Sequence, residues 1–95
     1  MINVIWHINC LVLKGHANSN SKGKDLVCCA ASAIVQTATA WFNENDIEIN
    51  KNNKIPSFEI KLSKINKQNQ KYLELIYQQL ACLAKHNKKY ILCKK

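Results

Sequence analysis

A histidine and a cysteine stand on either side of a short polar segment, with His16 twelve positions before Cys28 in the stretch GHANSNSKGKDLVCCAAS. Only the thiolate of a cysteine is a good nucleophile, and a free thiol with a pKa of about 8.5 is mostly protonated at neutral pH. An imidazole within hydrogen-bonding distance can take that proton and later deliver it to a leaving amine. The pair therefore predicts a cysteine protease dyad, in which the flexible loop 17–23 lets His16 approach Cys28.

Three neighbours of the pair could support the same chemistry. Asp25 is a good N-cap, so a helix that starts after it places Cys28 in its first turn, where the helix dipole stabilises a negative charge by about 0.3–1 kcal/mol. One pKa unit represents roughly 1.36 kcal/mol, so a cationic partner is still required. Asp25 also opposes the thiolate by like-charge repulsion, unless its oxygens cap the helix or hold the imidazole. Gly15 leaves room for a substrate backbone, and Ser32, one turn after Cys28, could donate to a substrate.

Each of these residues also has a purely structural interpretation. A cysteine in an apolar helix is commonly a small buried hydrophobe, and a histidine beside a glycine is often only a loop residue. Cys29 lies about 100° around the helix from Cys28 and is expected to pack inward. Cys82 and His86 have the i, i+4 spacing that can hold a metal ion, but no second pair of ligands accompanies them, so neither a metal site nor a cofactor is expected. Three further candidates fall in predicted strands and are expected to be structural: Cys10, Cys93 and His7.

The composition limits the class of protein. A chain of 95 residues, 47% of them hydrophobic and 21% charged, is expected to form one globular domain over residues 1–95, and its apolar runs are too short to cross a bilayer. The first fifteen residues lack the basic start and the small-residue cleavage site of a secretory signal, so a cytoplasmic location is expected. Five cysteines, an odd number without framework spacing, indicate reduced thiols rather than a disulfide scaffold.

The positive charge suggests a second class of function. Every one of the 14 strongly basic residues is a lysine, and the formal net charge is +8. Such a charge favours weak, salt-sensitive binding to RNA or to acidic surfaces. Arginine makes the bidentate contacts to phosphate and guanine, so a dedicated reader of nucleic-acid sequence without arginine would be unusual. A noncatalytic ribosome- or RNA-associated binding module is therefore the alternative to the protease, and no specific nucleic acid is expected as a partner.

Hydrophobic periodicity indicates which elements position these residues. Alternating apolar residues predict a first hairpin over residues 2–14, with its turn near His7–Asn9, and a second one formed by DIEIN and SFEIKLS. Between them, an apolar stretch predicts a long helix that ends near Asn43–Asn45 and is buried over most of its circumference. A second helix runs from about Gln68 to His86, and YILC could add a short strand. The order ββαββα(β) predicts an α+β fold, a mainly antiparallel sheet with two helices packed on one face.

Around the dyad the sequence resembles a known family. The segment GHA, a polar loop and then GKDLVCCAASAIVQT are similar to the pattern of the ribosomal-processing cysteine proteases called Prp, in which GHA is followed by a loop and G-x-D-[IL]-V-C-A-A-x-S. Five residues fall on the characteristic positions of that pattern, at the family's His-to-Cys spacing: Gly15, His16, Asp25, Cys28 and Ser32. Outside residues 15–42 the resemblance is one of element order only.

The resemblance implies a function and an assembly. It implies that His16 and Cys28 form the catalytic dyad, with Cys28 as the nucleophile, and that the protein is a homodimer. Family members remove a short N-terminal extension from the large-subunit ribosomal protein numbered twenty-seven, cutting after paired aromatic residues. On this basis the loop 17–23 is expected to close when the extended tail docks beside a groove or a sheet edge. Two departures accompany the match: Cys29 replaces the family's usual alanine, and the first hairpin looks shorter than usual.

Overall fold

The protein folds as a five-stranded sheet with two α-helices over the residues that the computed structural model describes, which are 2–15, 26–52 and 57–94. The elements in chain order are β1 (Ile2–His7), β2 (Cys10–Lys14), α1 (Leu26–Ala38), β3 (Ile47–Asn52), β4 (Ser57–Leu62), α2 (Lys67–His86) and β5 (Ile91–Lys94). Two short 3-10 turns, Thr39–Trp41 and Glu44–Asp46, connect α1 to β3. The predicted α+β fold class and the element order ββαββαβ are confirmed.

The strands are arranged in the order β3-β4-β2-β1-β5. Both predicted hairpins are present, because β1 pairs antiparallel with β2 and β3 pairs antiparallel with β4. The two hairpins join through an antiparallel pairing of β2 with β4. The last strand, β5, lies parallel to β1 at the other edge. β4 runs in the same direction as β1, since each of them is antiparallel to β2. The helix α2 then crosses over from the end of β4 to the start of β5, so that β5 runs in this direction too.

The core lies between one face of the sheet and the two helices. Alternate strand residues point to the same face, and the buried set on this face includes Ile2, Val4, Leu11, Leu13, Ile60 and Leu62. From α2, Leu73, Ile76, Tyr77 and Leu80 are buried against them, at the spacing that the sequence predicts. The opposite face of the sheet carries polar residues such as Glu59 and Lys61, which are not buried.

The first helix departs from the sequence-based prediction at its end. It stops at Ala38 rather than near residues 43–45. Two threonine side chains favour this early end. Thr37 Oγ1 donates to the Ala33 carbonyl and Thr39 Oγ1 donates to the Gln36 carbonyl, each at 2.6 Å, and such bonds destabilise and bend a helix. The Phe42 N–H then bonds the Thr39 carbonyl and closes a 3-10 turn.

The expectation that most of α1 is buried is also wrong. Its fully buried residues form a single stripe, Val27, Ala31, Val35 and Ala38. At about 100° per residue these four span less than a quarter of the circumference. The rest of the helix is left for other contacts, which include the site described below.

The second helix begins with a side-chain cap and is anchored to the β3–β4 hairpin. The Asn66 side chain accepts from the Asn69 N–H at 2.7 Å, an N-cap bond. The buried Asn69 amide donates to the Asp46 carboxylate at 3.3 Å and to the Lys64 carbonyl at 2.9 Å. Within the ranges described above, neither helix is both long and apolar enough to cross a membrane.

Candidate active site

Cys28 lies in the first turn of α1, which begins at Leu26. The apolar stripe of α1 faces the core that it shares with the sheet and α2. Cys28 is placed about 100° from Val27 around the helix, at the border of that stripe. Its side chain is therefore half-buried and packs against the core while part of it stays accessible. This position is suited to chemistry, because the positive end of the helix dipole favours a thiolate there.

A cleft of about 250 Å³ opens beside Cys28, between α1 and the sheet. Its apolar walls come from Ile2, Leu13, Ala31, Val35 and Phe58. The polar lining comes from Gly15, Cys28, Ser32, Gln36, Lys51 and Ser57. Pockets for drug-sized molecules measure about 300–1,000 Å³, so this smaller cleft is suited to a few side chains of a peptide.

Polar side chains form a line along the side of α1 that faces the cleft. Cys28, Ser32 and Gln36 follow one another at intervals of four residues, so each lies about 40° further round the helix than the last. From the first to the third the helix rises by about 12 Å. An extended peptide covers that distance with three or four residues. The line is therefore long enough to contact one short peptide segment.

Gly15 brings the end of β2 to the same cleft. Its φ angle is 95°, in the left-handed region that glycine enters without steric cost. Three of the five predicted site residues therefore meet at the cleft: Gly15, Cys28 and Ser32. His16 follows Gly15 directly in the sequence, but His16, Asp25 and the loop 17–23 lie outside the described residues.

The neighbour of Cys28 does not pack inward as expected. Cys29 is exposed, because it lies about 200° around the helix from the buried Val27. Cys28 and Cys29 thus present their thiols to different surroundings, and only Cys28 reaches the cleft.

The other thiols lie away from the cleft. Burial, followed by the bond to the Glu59 carboxylate, raises the pKa of Cys10 to about 11, and burial also raises the pKa of Cys93. Cys10 and Cys93 lie in strands, as predicted, and Cys82 is exposed on α2. None of the five cysteines, all in the described part of the chain, forms a disulfide. No group of three or more possible metal ligands occurs among the described residues.

Sequence reasoning missed four polar or aromatic residues of the cleft, which are Gln36, Lys51, Ser57 and Phe58. Gln36 has a detectable signal, since it continues the four-residue spacing of Cys28 and Ser32. The other three come from β3 and β4, and only the tertiary fold brings these strands to α1. Nothing in their local sequence marks them as cleft residues.

A family model described as cysteine protease Prp matches residues 1–92. The chain belongs to this family. It is therefore a member of a cysteine protease family, the class of enzyme that the Gly15–Ser32 stretch predicted. The Prp family match includes Cys28 and every element that lines the cleft.

Two curated relatives carry the name ribosomal processing cysteine protease Prp. The one from Mycoplasma genitalium is 45% identical over 62 residues, which are 65% of this chain and 63% of that protein. The match thus spans a little less than two thirds of the length of that relative. The one from Mycoplasma pneumoniae is 34% identical over 74 residues, 78% of this chain and 74% of that protein.

Solved structures of other proteins have the same fold, and one of these proteins is a Prp protease. A Prp protease from S. aureus, in complex with a covalently linked product peptide, superposes with a TM-score of 0.80 at 19% identity, covering 98% of this chain and 95% of that one. The protein SMU.848 from Streptococcus mutans superposes with a TM-score of 0.75 at 20% identity, covering 98% and 90%. At these identities the agreement establishes the shared architecture of sheet and helices.

Proposed function

We propose that this chain is a cysteine endopeptidase that removes the N-terminal extension of the bacterial large-subunit ribosomal protein numbered twenty-seven. The observation that carries the proposal is the position of Cys28 in the first turn of α1, beside a cleft that can hold part of a peptide. The names of the two mycoplasma relatives support a ribosomal protein as the substrate. Residues 1–95 are proposed to act as one protease domain.

The proposed reaction uses His16 and Cys28 as a dyad. His16 takes the proton from the Cys28 thiol, and the thiolate attacks the carbonyl carbon of the scissile bond. As the C–N bond breaks, the imidazolium gives its proton to the leaving amine, and the tail stays on the sulfur as a thioester. A water molecule, deprotonated by His16, then attacks the thioester, which releases the tail and restores the thiol.

Three residues are proposed to support these steps. Asp25 caps α1 or orients the imidazole of His16. Ser32 lines the cleft one turn after Cys28, where its hydroxyl can donate to the bound peptide. Gly15, which has no Cβ, leaves space for the substrate backbone where β2 reaches the cleft. No metal ion or cofactor is needed for this sequence of steps.

The test is cleavage of a precursor that carries the extension. Purified protein is mixed with the tailed ribosomal protein, and the mass of the product is followed with time. We expect Cys28→Ala and His16→Ala to abolish cleavage, because they remove the nucleophile and its base. Cys29→Ala is the matched control, since Cys29 is an adjacent exposed thiol, and it should cleave like the wild type. Activity that survives Cys28→Ala but is lost in Cys29→Ala would show that Cys29, and not Cys28, is the nucleophile.

The assembly and the location are proposed with the activity. The active form is a homodimer in the cytoplasm, where ribosomal proteins are made, and sedimentation of the purified protein would show a single-chain mass if the dimer is wrong.

The alternative function, a noncatalytic RNA-associated module, has the net charge of +8 in its favour. It requires RNA binding with a steep salt dependence and no cleavage of the tailed precursor.

A further inference from the structure

The cleft beside Cys28 contains a cation that the proposed reaction does not use. Lys51 in β3 lies directly opposite Phe58 in β4, and its Nζ lies 5.6 Å from the centre of the Phe58 ring. Both residues line the cleft. A cation within about 6 Å of an aromatic face is attracted to it. This contact therefore favours a position of the ammonium group at the wall of the cleft.

No acidic side chain of the described residues forms a salt bridge with Lys51. Glu59 is next to Phe58 in the sequence, but neighbouring side chains of a strand point to opposite faces of the sheet. On that opposite face the Glu59 carboxylate accepts from Cys10 and Asn50. Among the described residues that line the cleft, Lys51 is the one with a charged side chain. Of the side chains that the structure describes in the cleft, a carboxylate that enters would thus meet a positive charge and no negative one.

We propose that Lys51 is a specificity-determining residue, which selects peptides that carry a carboxylate side chain close to an uncharged one. The inference rests on the proposed function and defines the class of peptide that the cleft prefers. The apolar wall accepts the uncharged side chain, and Lys51 binds the carboxylate. Side chains two positions apart in an extended peptide lie about 7 Å from each other on the same side, so both contacts fit within one bound segment.

A purely protective role for Lys51 would not depend on the sign of its charge. β3 is an edge strand, and lysines on such strands commonly prevent pairing with other chains. Lys51 belongs to the row of Ile47 and Ile49 on the helix-bearing side of the sheet, since its register partner Phe58 shares a face with the buried Ile60, and inward-pointing charges on edge strands can serve the same protection. An edge charge serves its purpose with either sign, whereas recognition of a carboxylate requires a positive one.

The test compares pairs of short peptides that are identical except at one position, which is glutamate in one peptide and glutamine in the other. All remaining residues are uncharged, and the variable position is moved along the peptide from pair to pair. Binding is measured by fluorescence anisotropy in a Cys28→Ala background, where no peptide is consumed. We expect one position at which glutamate binds about three- to tenfold more tightly than glutamine, the size of a charge contact at a partly exposed site. Lys51→Gln should remove this difference, and Lys51→Glu should reverse it.

Lys64→Glu is the matched control, because it changes the net charge by the same amount at another exposed lysine. Lys64 follows the end of β4, and that end of the hairpin is four residue pairs from Lys51, or about 14 Å. This separation exceeds the Debye length of about 8 Å at physiological ionic strength. The preference for glutamate should therefore survive in Lys64→Glu.

Three results would overturn the role of Lys51: equal binding of glutamate and glutamine at every position, a loss of preference in Lys64→Glu as large as in Lys51→Glu, or an equal weakening of all peptides by the Lys51 variants. The proposed function fails separately, when the wild-type protein leaves the tailed precursor uncut. Because binding is measured without turnover, the two failures are distinguishable.

Discussion

Cys10 donates its S–H to the Glu59 carboxylate across the pairing of β2 with β4, with 3.2 Å between Sγ and Oε2. The other oxygen of the same carboxylate accepts from Asn50 Nδ2 at 2.9 Å. Burial contributes most to raising the pKa of Cys10 from 9.0 to about 11, and the bond to Glu59 and its charge add to the effect. The same two bonds lower the pKa of the Glu59 carboxyl. The polar face of the sheet thus holds a thiol that stays protonated and unreactive at neutral pH.

The first prediction is an order of reactivity among the five thiols. A limiting amount of iodoacetamide near pH 6 should modify Cys28 first, because the helix dipole and the proposed pairing with His16 favour its thiolate. Cys10 and Cys93 should react last, since the pKa of each is raised. Peptide mass spectrometry of the partly labelled protein measures the order. Uniform labelling, or labelling that starts at Cys10 or Cys93, would contradict an activated Cys28.

The second prediction concerns stability at alkaline pH. The folded chain holds the Cys10 proton up to a pKa of about 11, against 9.0 for an unperturbed thiol. Cys10 therefore contributes stability that is complete below pH 9.0 and is lost as the pH rises through about 11, because the unfolded chain releases the proton first. We expect the urea midpoint of the wild type to fall more between these two pH values than that of Cys10→Ala.

The control for the alkaline experiment is Cys82→Ala, which removes an exposed thiol from α2. Lysines, tyrosines and Cys93 also titrate at high pH, so the informative quantity is the difference between each variant and the wild type. Cys82→Ala should follow the wild-type curve. Parallel curves for Cys10→Ala and the wild type would mean that the fold does not raise the pKa of Cys10 in solution.

The elements with a regular hydrophobic period could be predicted from the sequence. The apolar stripe of α2 predicts both ends of the helix to within one residue of the observed Lys67–His86. Both hairpins follow from alternating residues, and the final strand β5 was expected without its parallel pairing to β1. The end of α1 was not predictable in the same way. It depends on bonds from threonine side chains to the backbone and on packing of Phe42 against Tyr72, with ring centres 5.3 Å apart.

The candidate site was predictable only where it is local in sequence. Cys28 and Ser32 are one helical turn apart, so one stretch of sequence contains both. The inward packing predicted for Cys29 is wrong, because the sequence of α1 alone does not show which side of the helix faces the core. Lys51 and Phe58 come from a hairpin that follows α1, and they line the cleft only through the pairing of β4 with β2.

The third prediction tests the core under the helices. Leu80 on α2 is fully buried, so Leu80→Ala should lower the free energy of unfolding by about 2–5 kcal/mol through lost apolar contact and a residual cavity. Leu75→Ala on the same helix is the control, because Leu75 is 37% exposed and leaves no enclosed cavity. Urea denaturation of both variants measures the difference. Equal losses would mean that the packing of α2 differs from the one described.

The fourth prediction tests whether the peptide lies along α1. Gln36 is exposed and lines the cleft at the end of the line that starts at Cys28. Gln36→Trp should fill that end of the cleft without disturbing the core. If three or four residues of the tail occupy this line, KM for the tailed precursor should rise at least about tenfold, which corresponds to roughly 1.4 kcal/mol of lost binding. The value of kcat should change much less, because Gln36 is about 12 Å along the helix from Cys28.

Thr37→Trp supplies the matched control for this experiment. Thr37 is exposed on α1 but does not line the cleft, since it lies about 100° around the helix from Gln36 and about 180° from Cys28. The same bulky side chain at position 37 should therefore leave KM unchanged, and thermal unfolding of both variants would show whether the helix itself tolerates tryptophan. A rise in KM of equal size in the two variants would place the tail elsewhere. An unchanged KM in a well-folded Gln36→Trp would confine the bound segment to the part of the cleft nearest Cys28.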